Sequence, residues 1–268
     1  MDKLHANGLV LLGCGKMGSA MLAGWLEEGL PAQSVWVLEP SPSDWLKGTG
    51  VHLNEDLPPS PALALVAVKP QMMGEALVRL APLGGGETVV LSVAAGTSIG
   101  ALEAALGADT PIIRAMPNTP AAVGKGITAI IGNARARESQ LALAEALLGA
   151  IGQVVRLENE GQMDAVTALS GSGPAYVFYL IEAMAAAGEA EGLAPDLALH
   201  LARATVAGAG ALAEASGEGP GQLRVNVTSP GGTTQAALEV LMEPQSGLAP
   251  LLERAVRAAA QRSRELGQ

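Results

Sequence analysis

The chain has 268 residues, enough for one large or two modest domains, and two are expected. A formal charge of -10 with 2% aromatic content leaves neither a basic surface for phosphates nor stacking platforms, which argues against nucleic acid and anionic membranes as partners. A single cysteine, Cys14, excludes an internal disulfide and fits a reducing compartment, and Met1-Asp2-Lys3-Leu4-His5 lacks a basic-then-apolar leader, so the expected location is cytoplasmic.

The first predicted strand, Leu9 to Leu12, runs into Gly13-Cys14-Gly15-Lys16-Met17-Gly18 and then a helix over Met17 to Glu28. This is G-x-G-x-x-G in the context that gives it meaning. The first glycine makes the tight turn, the second admits a pyrophosphate, the third packs helix on strand, and the helix N-terminus receives negative charge. Cys14 sits at a spacer position, where a small filler role is favoured. The second strand, Val35 to Leu38, ends at Glu39, which lies 21 residues past Gly18, where an acidic side chain accepts hydrogen bonds from the adenosine ribose. The following Pro40-Ser41-Pro42-Ser43-Asp44 has no Arg or Lys for a 2′-phosphate, so NADPH must rely on Ser41 or Ser43 and the reading leans to NADH.

Further strands are expected over Leu63 to Val68, Val89 to Val93, Ile112 to Ala115 and Ile127 to Ile131, with a helix over Gln71 to Leu80. Strands alternating with helices indicate an α/β fold with a doubly wound, mostly parallel sheet of Rossmann type, whose ligands lie at the carboxyl ends of strands. Two such ends carry ligand-like loops, Ala67-Val68-Lys69-Pro70-Gln71 and Arg114-Ala115-Met116-Pro117-Asn118-Thr119-Pro120. The Asn118 amide can donate and accept at once, as a nicotinamide carboxamide requires, or it caps a turn.

From about Glu160 the strand signal ends. Val177, Leu180, Ile181 and Met184 recur at helical spacing, followed by Leu197 and Leu201, then Leu248, Leu251, Leu252, Ala255 and Val256, which reads as a core seam. Small residues such as Ala185 to Gly188 and Gly208 to Gly210 permit close helix packing. The charge-free stretch from Ala165 to Ile181 is broken by Ser170-Gly171-Ser172-Gly173-Pro174 and reads as protein core, not membrane. A dinucleotide-binding domain over 1–158 and an all-helical substrate and dimerisation domain over 159–268 are therefore expected, with association into a homo-oligomer.

Within the helical half, Thr228-Ser229-Pro230-Gly231-Gly232-Thr233-Thr234 joins two apolar runs with glycines and hydroxyls and no charge. It is either a capped turn or a cradle for a small carboxylate at a helix N-terminus. His5, His52 and His200 are scattered without the spacing of a metal site or a triad. All five lysines (Lys3, Lys16, Lys47, Lys69, Lys125) lie in the first half, which excludes chemistry that needs a lysine acid on the helical domain, as in hydroxyacid dehydrogenase and ketopantoate-type relatives of this fold.

Nearly the whole chain resembles the pyrroline-5-carboxylate reductase family. Leu223, Val227-Thr228-Ser229, Gly231-Gly232, Thr234, Ala237-Leu238 and Leu241 match its signature spacing, and Leu169 to Tyr176, Ala67 to Pro70 and Met116-Pro117-Asn118 look like its recurring segments. Met242 stands in a signature slot that is usually polar, and Glu39 replaces the hydroxyl or basic residues common in NADPH-preferring relatives. The resemblance implies reduction of 1-pyrroline-5-carboxylate to proline with NADPH or NADH, a helical dimerisation domain with higher assembly in some members, and Asn54 near the adenosine. Gly13 to Gly18, Glu39, Ala67, Val68, Lys69, Pro70 and Asn118 are then the expected cofactor residues. Ser229, Gly232, Thr233 and Thr234 are expected at the substrate, with backbone N–H groups on its carboxylate and the Thr234 hydroxyl on its ring nitrogen. A broader cyclic imine reductase and a non-catalytic dinucleotide sensor are the alternatives.

Overall fold

A computed structural model describes residues 2–267, with Asp2 and Pro70 described through their backbone alone. The chain forms two compact units, Met1–Gly171 with Ala260–Gln268, and Ser172–Ala259. The first unit runs α1 (Asp2–Asn7), β1 (Leu9–Leu12), α2 (Lys16–Glu27), β2 (Val35–Leu38), α3 (Asp44–Lys47), β3 (His52–Leu53), β4 (Leu63–Val66) and α4 (Met73–Leu80). It continues through β5 (Val89–Ser92), α5 (Ile99–Leu106), β6 (Ile112–Met116), β7 (Gly126–Gly132), α6 (Glu138–Gly149), β8 (Gly152–Arg156) and α7 (Met163–Val166). Thereafter come α8 (Gly173–Ala190), α9 (Pro195–Ala215), α10 (Pro220–Asn226), α11 (Thr233–Leu241) and α12 (Leu248–Leu266). Among the described residues no helix is long and apolar enough to cross a membrane.

The eight strands form one sheet in the order β3-β2-β1-β4-β5-β6-β7-β8, parallel except where β7 runs against β6. The chain winds outward from β1 to β3, then returns to β4 on the other side of β1, so the strand order reverses between β1 and β4 and the crevice opens there. Two strands lack an advance signal for a physical reason. β3 is a two-residue bridge onto β2, and β8 alternates half-exposed and exposed residues at the sheet edge, so neither needs an apolar run.

Both sheet faces are covered, and the period of two along each strand sorts side chains between them. Leu9, Leu11, Val35, Val37, Leu63 and Leu65 pack in one layer with Met21, Leu22, Trp25, Leu147 and Leu148 from α2 and α6. Val10, Leu12, Ala64, Val66, Val90 and Ile112 pack in the other with Met73, Leu80, Leu102 and Leu106 from α4 and α5. Burial of each large side chain contributes on the order of 1.5–3 kcal/mol. The polar edge of the fully buried Trp25 is satisfied by donation from Nε1 to the Leu147 carbonyl at 2.8 Å.

The second unit buries much less of itself. Its internal cluster is Ala185, Ala198 and Ala202 with Ile181, where the bare face of Gly188 lets α8 and α9 close together. This corrects the expected seam: of its members Ile181 joins the cluster, whereas Leu197 and Leu201 remain 48% and 46% exposed and Val177, Leu180 and Met184 also face outward. Alanines sit at the contact because close helix approach leaves no room there for leucine.

The first unit extends past the expected division at 158/159, because residues 159–171 are tied into it. Glu160 accepts from the Arg114 guanidinium at 2.7 Å and from the Ile99 N–H at 2.8 Å, joining β6, the start of α5 and its own segment. Asn118 Nδ2 donates to the Ser170 carbonyl, and Ser263 Oγ of α12 donates to Asp164 at 2.6 Å. Arg114 is 8% exposed, so loss of its partner strands a buried charge. Glu160→Ala is expected to destabilise the protein by about 2–3 kcal/mol in denaturant unfolding; a change below about 0.5 kcal/mol would show that the pair contributes nothing.

Candidate functional site

The turn after β1 has the backbone that its three glycines predict. Gly13 adopts φ +86°, and a β-carbon there would lie 2.8 Å from the Ala67 carbonyl oxygen. A β-carbon on Gly18 would run into the Gly13 carbonyl, whereas one on Gly15, the N-cap of α2, meets open space. First and third glycines thus serve the fold, and the second leaves access for a ligand. The N–H groups of Gly15, Lys16, Met17 and Gly18 have no acceptor among the described residues, so the first turn of α2 presents a row of free donors at its positive end.

Glu39 closes one side of this turn. Its carboxylate accepts from the Cys14 N–H at 2.8 Å and from the Ser41 N–H at 3.0 Å, which occupies the Cys14 donor. Asn54 holds the Glu39 backbone from the far side in a reciprocal pair, accepting from its N–H at 2.9 Å and donating to its carbonyl at 3.0 Å. Asn54 stands at φ +57°, in the left-handed region that asparagine tolerates. Burial and then the neighbouring Glu39 charge push the Cys14 thiol up to about 11, so it stays protonated at neutral pH, as a filler and not a nucleophile. Ser43 Oγ accepts from Leu46 N and caps α3.

A pocket of about 410 Å³ opens beside Glu39 and Asn54, with Val68 on its wall and Met72, Glu75, Ala76 and Arg79 contributed from α4 and the turn before it. The α4 residues were not anticipated. The available signal was their spacing, since residues 75, 76 and 79 fall on one face of a helix that follows a sheet-switch strand. Ala67 borders the glycine turn, donating its N–H to Leu12 O at 2.8 Å, and Lys69 is exposed beyond it. Pro70 opens a short 3-10 turn, and its side chain lies outside the described residues.

Asn118 differs from expectation. Its side chain is 9% exposed, accepts from the Ile127 N–H at 2.9 Å and donates to Ser170 O at 3.2 Å. Buried amides must pair internally, and this one braces β7 against the segment before α8 instead of lying open for a carboxamide.

In the second unit the loop from Thr228 to Thr234 has its own geometry. Gly231 takes φ +68° and donates its N–H to Gln235 Oε1 at 2.7 Å, a cap from the third helical position. Gly232 is the N-cap of α11, but its N–H is already donated to Ser229 O at 3.0 Å, so it is not the free donor expected of it. The N–H groups of Thr233 and Thr234 have no acceptor among the described residues, and the hydroxyls of Ser229, Thr233 and Thr234 likewise make no internal bond. Thr228 is turned away, its hydroxyl donating to Arg224 O at 2.6 Å. Met242 is exposed at the end of α11, where its sulfur accepts from Arg224.

Gly18→Ala is expected to weaken dinucleotide binding at least about tenfold in fluorescence titration, because its β-carbon displaces the Gly13 carbonyl and with it the turn. Unchanged affinity would mean that the turn is not the binding element.

Two family models match this chain: "Pyrroline-5-carboxylate reductase dimerisation" over residues 160–266, and "NADP oxidoreductase coenzyme F420-dependent" over residues 9–96. The pyrroline-5-carboxylate reductase of Synechocystis is 42% identical over 267 residues, covering 97% of this chain and 98% of the relative. A solved pyrroline-5-carboxylate reductase from Coxiella burnetii superposes with a TM-score of 0.92 at 34% identity, covering 98% of this chain and 99% of that one. That of Plasmodium falciparum, solved with NADP bound, gives 0.85 at 28% identity, with the same two coverages. With a dedicated dimerisation domain and relatives matched along their full length, this chain belongs to the pyrroline-5-carboxylate reductase family.

Proposed function

We infer that this chain reduces 1-pyrroline-5-carboxylate to L-proline by hydride transfer from NAD(P)H, the last step of proline biosynthesis. The observation that carries the reading is similarity along the whole chain to curated reductases of that name, over the nucleotide and helical parts alike. The donor row of α2, the carboxylate of Glu39 and the open face of Gly15 fit a dinucleotide: the N–H groups of Gly15 to Gly18 receive its pyrophosphate and Glu39 receives a ribose hydroxyl.

The bound nicotinamide supplies the hydride. The residues of this chain supply position, since a protonated cyclic imine is already electrophilic and the reacting atoms need only be held about 3–3.5 Å apart with aligned orbitals. Thr233 and Thr234 offer free N–H groups for the substrate carboxylate at the start of α11, and the Thr234 hydroxyl takes the ring nitrogen, which ends protonated as the imine carbon gains hydride. Ser229, with a free hydroxyl, is a further substrate contact. The outward-facing Leu197, Leu201, Phe178 and Tyr179 of the second unit support a homodimer through the helical domain. One cysteine and a charge of -10 support a cytoplasmic setting.

Oxidation of NADH dependent on 1-pyrroline-5-carboxylate tests the reading directly; absence of turnover with either cofactor would overturn it. Because Glu39 accepts from ribose, catalytic efficiency with NADPH is expected not to exceed that with NADH by more than about tenfold. Thr234→Ala is expected to lower kcat/KM by roughly 10- to 200-fold, the loss of one substrate hydrogen bond, at unchanged melting temperature. Unaltered kinetics would remove Thr234 from the site.

A further inference from the structure

The pocket beside Glu39 contains one side chain that recognition of a ribose hydroxyl does not require. Arg79 is the single basic residue among the described residues that line it, facing the same space as Glu39, Asn54 and Glu75. It lies in the last turn of α4, a position that favours a cation through the helix dipole. It forms no ion pair or side-chain hydrogen bond with another described residue, even with Glu75 four positions earlier on the same helix. An unpaired guanidinium thus stands in a pocket whose other charged groups are two carboxylates.

That composition discriminates between cofactors. A ribose hydroxyl is neutral and hydrogen-bonds to Glu39 without help. A 2′-phosphate carries close to two negative charges at neutral pH, and beside Glu39 it is repelled unless a cation shares the pocket. Nothing in Pro40 to Asp44 supplies one, since Ser41 and Ser43 offer only neutral hydroxyls. Arg79 can, and its planar fork matches two phosphate oxygens at once.

We propose that Arg79 is the specificity residue through which this chain accepts NADPH: its guanidinium takes the 2′-phosphate from α4, while Glu39 serves the ribose of NADH from β2. One pocket then admits both cofactors by two separate groups. The proposal rests on the assignment of this pocket to the adenosine end of NAD(P)H.

The test uses nucleotide fragments that undergo no reaction, so it does not depend on turnover. Calorimetric titration of the full chain with 2′,5′-ADP and with 5′-AMP is compared between the wild type and Arg79→Met. Affinity for 2′,5′-ADP is expected to fall about tenfold or more and that for 5′-AMP to change less than about twofold. Binding of 2′,5′-ADP to the wild type is also expected to weaken more steeply with salt than that of 5′-AMP. Equal loss for both fragments would assign Arg79 to the adenine ring and overturn the proposal, as would no loss for either. Failure of the wild type to bind either fragment would overturn it too. In steady state the NADH-over-NADPH ratio of kcat/KM is expected to rise about tenfold in Arg79→Met. A chain that binds 2′,5′-ADP through Arg79 yet fails to turn over would count against the reductase reading and leave the role of Arg79 standing.

Discussion

The turn after β1 lies against the end of β4 with no room for a β-carbon at Gly13, and the Gly13 carbonyl leaves none at Gly18; the row of unpaired donors at the start of α2 depends on that approach. Because the turn is pressed onto Ala67, α2 starts close to the strand ends with its first N–H groups unpaired among the described residues. The reversal of strand order between β1 and β4 keeps any crossover helix from covering the gap. The same approach brings Cys14 N–H within reach of Glu39, so the acid at the end of β2 is oriented by the loop it flanks. Chain direction, glycine sterics and hydrogen bonding thereby converge on one edge.

In each unit the polar groups singled out above divide into those that are spent internally and those that are free. Asn118 and Arg114, both nearly buried, have their hydrogen-bonding capacity directed into the protein, onto Ser170 O and Glu160. Burial without a partner costs several times what the bond returns, so such groups act as struts. The N–H groups of Gly15 and Lys16 at the start of α2, and in the second unit those of Thr233 and Thr234, belong to residues that are not buried and have no acceptor among the described residues.

The two units are stabilised differently. The first has two apolar layers on a sheet covered on both faces, with leucine, valine and isoleucine in the interior. The second holds α8 and α9 together through alanine contacts and leaves its large apolar side chains outside. Large apolar side chains left outside are the surface that homo-oligomers cover, and the family model that matches residues 160–266 is described as a dimerisation domain.

The sequence by itself determined the parts governed by short-range rules. Strand spacing announced the doubly wound sheet, the three glycines announced their separate steric roles, and the distance from Gly18 to Glu39 announced the acid beside the loop. Only the tertiary structure decided which polar groups remain available, because that depends on partners far along the chain. Asn118 is claimed by Ser170, and the Gly232 N–H is consumed by its own turn at Ser229. Arg79 joins Glu39 in one pocket although 39 residues separate them in the chain, because α4 follows the switch strand β4 and its last turn borders the crevice. Local pattern is written in residue order, whereas burial and charge balance are properties of neighbours in space, and those are set when the sheet closes.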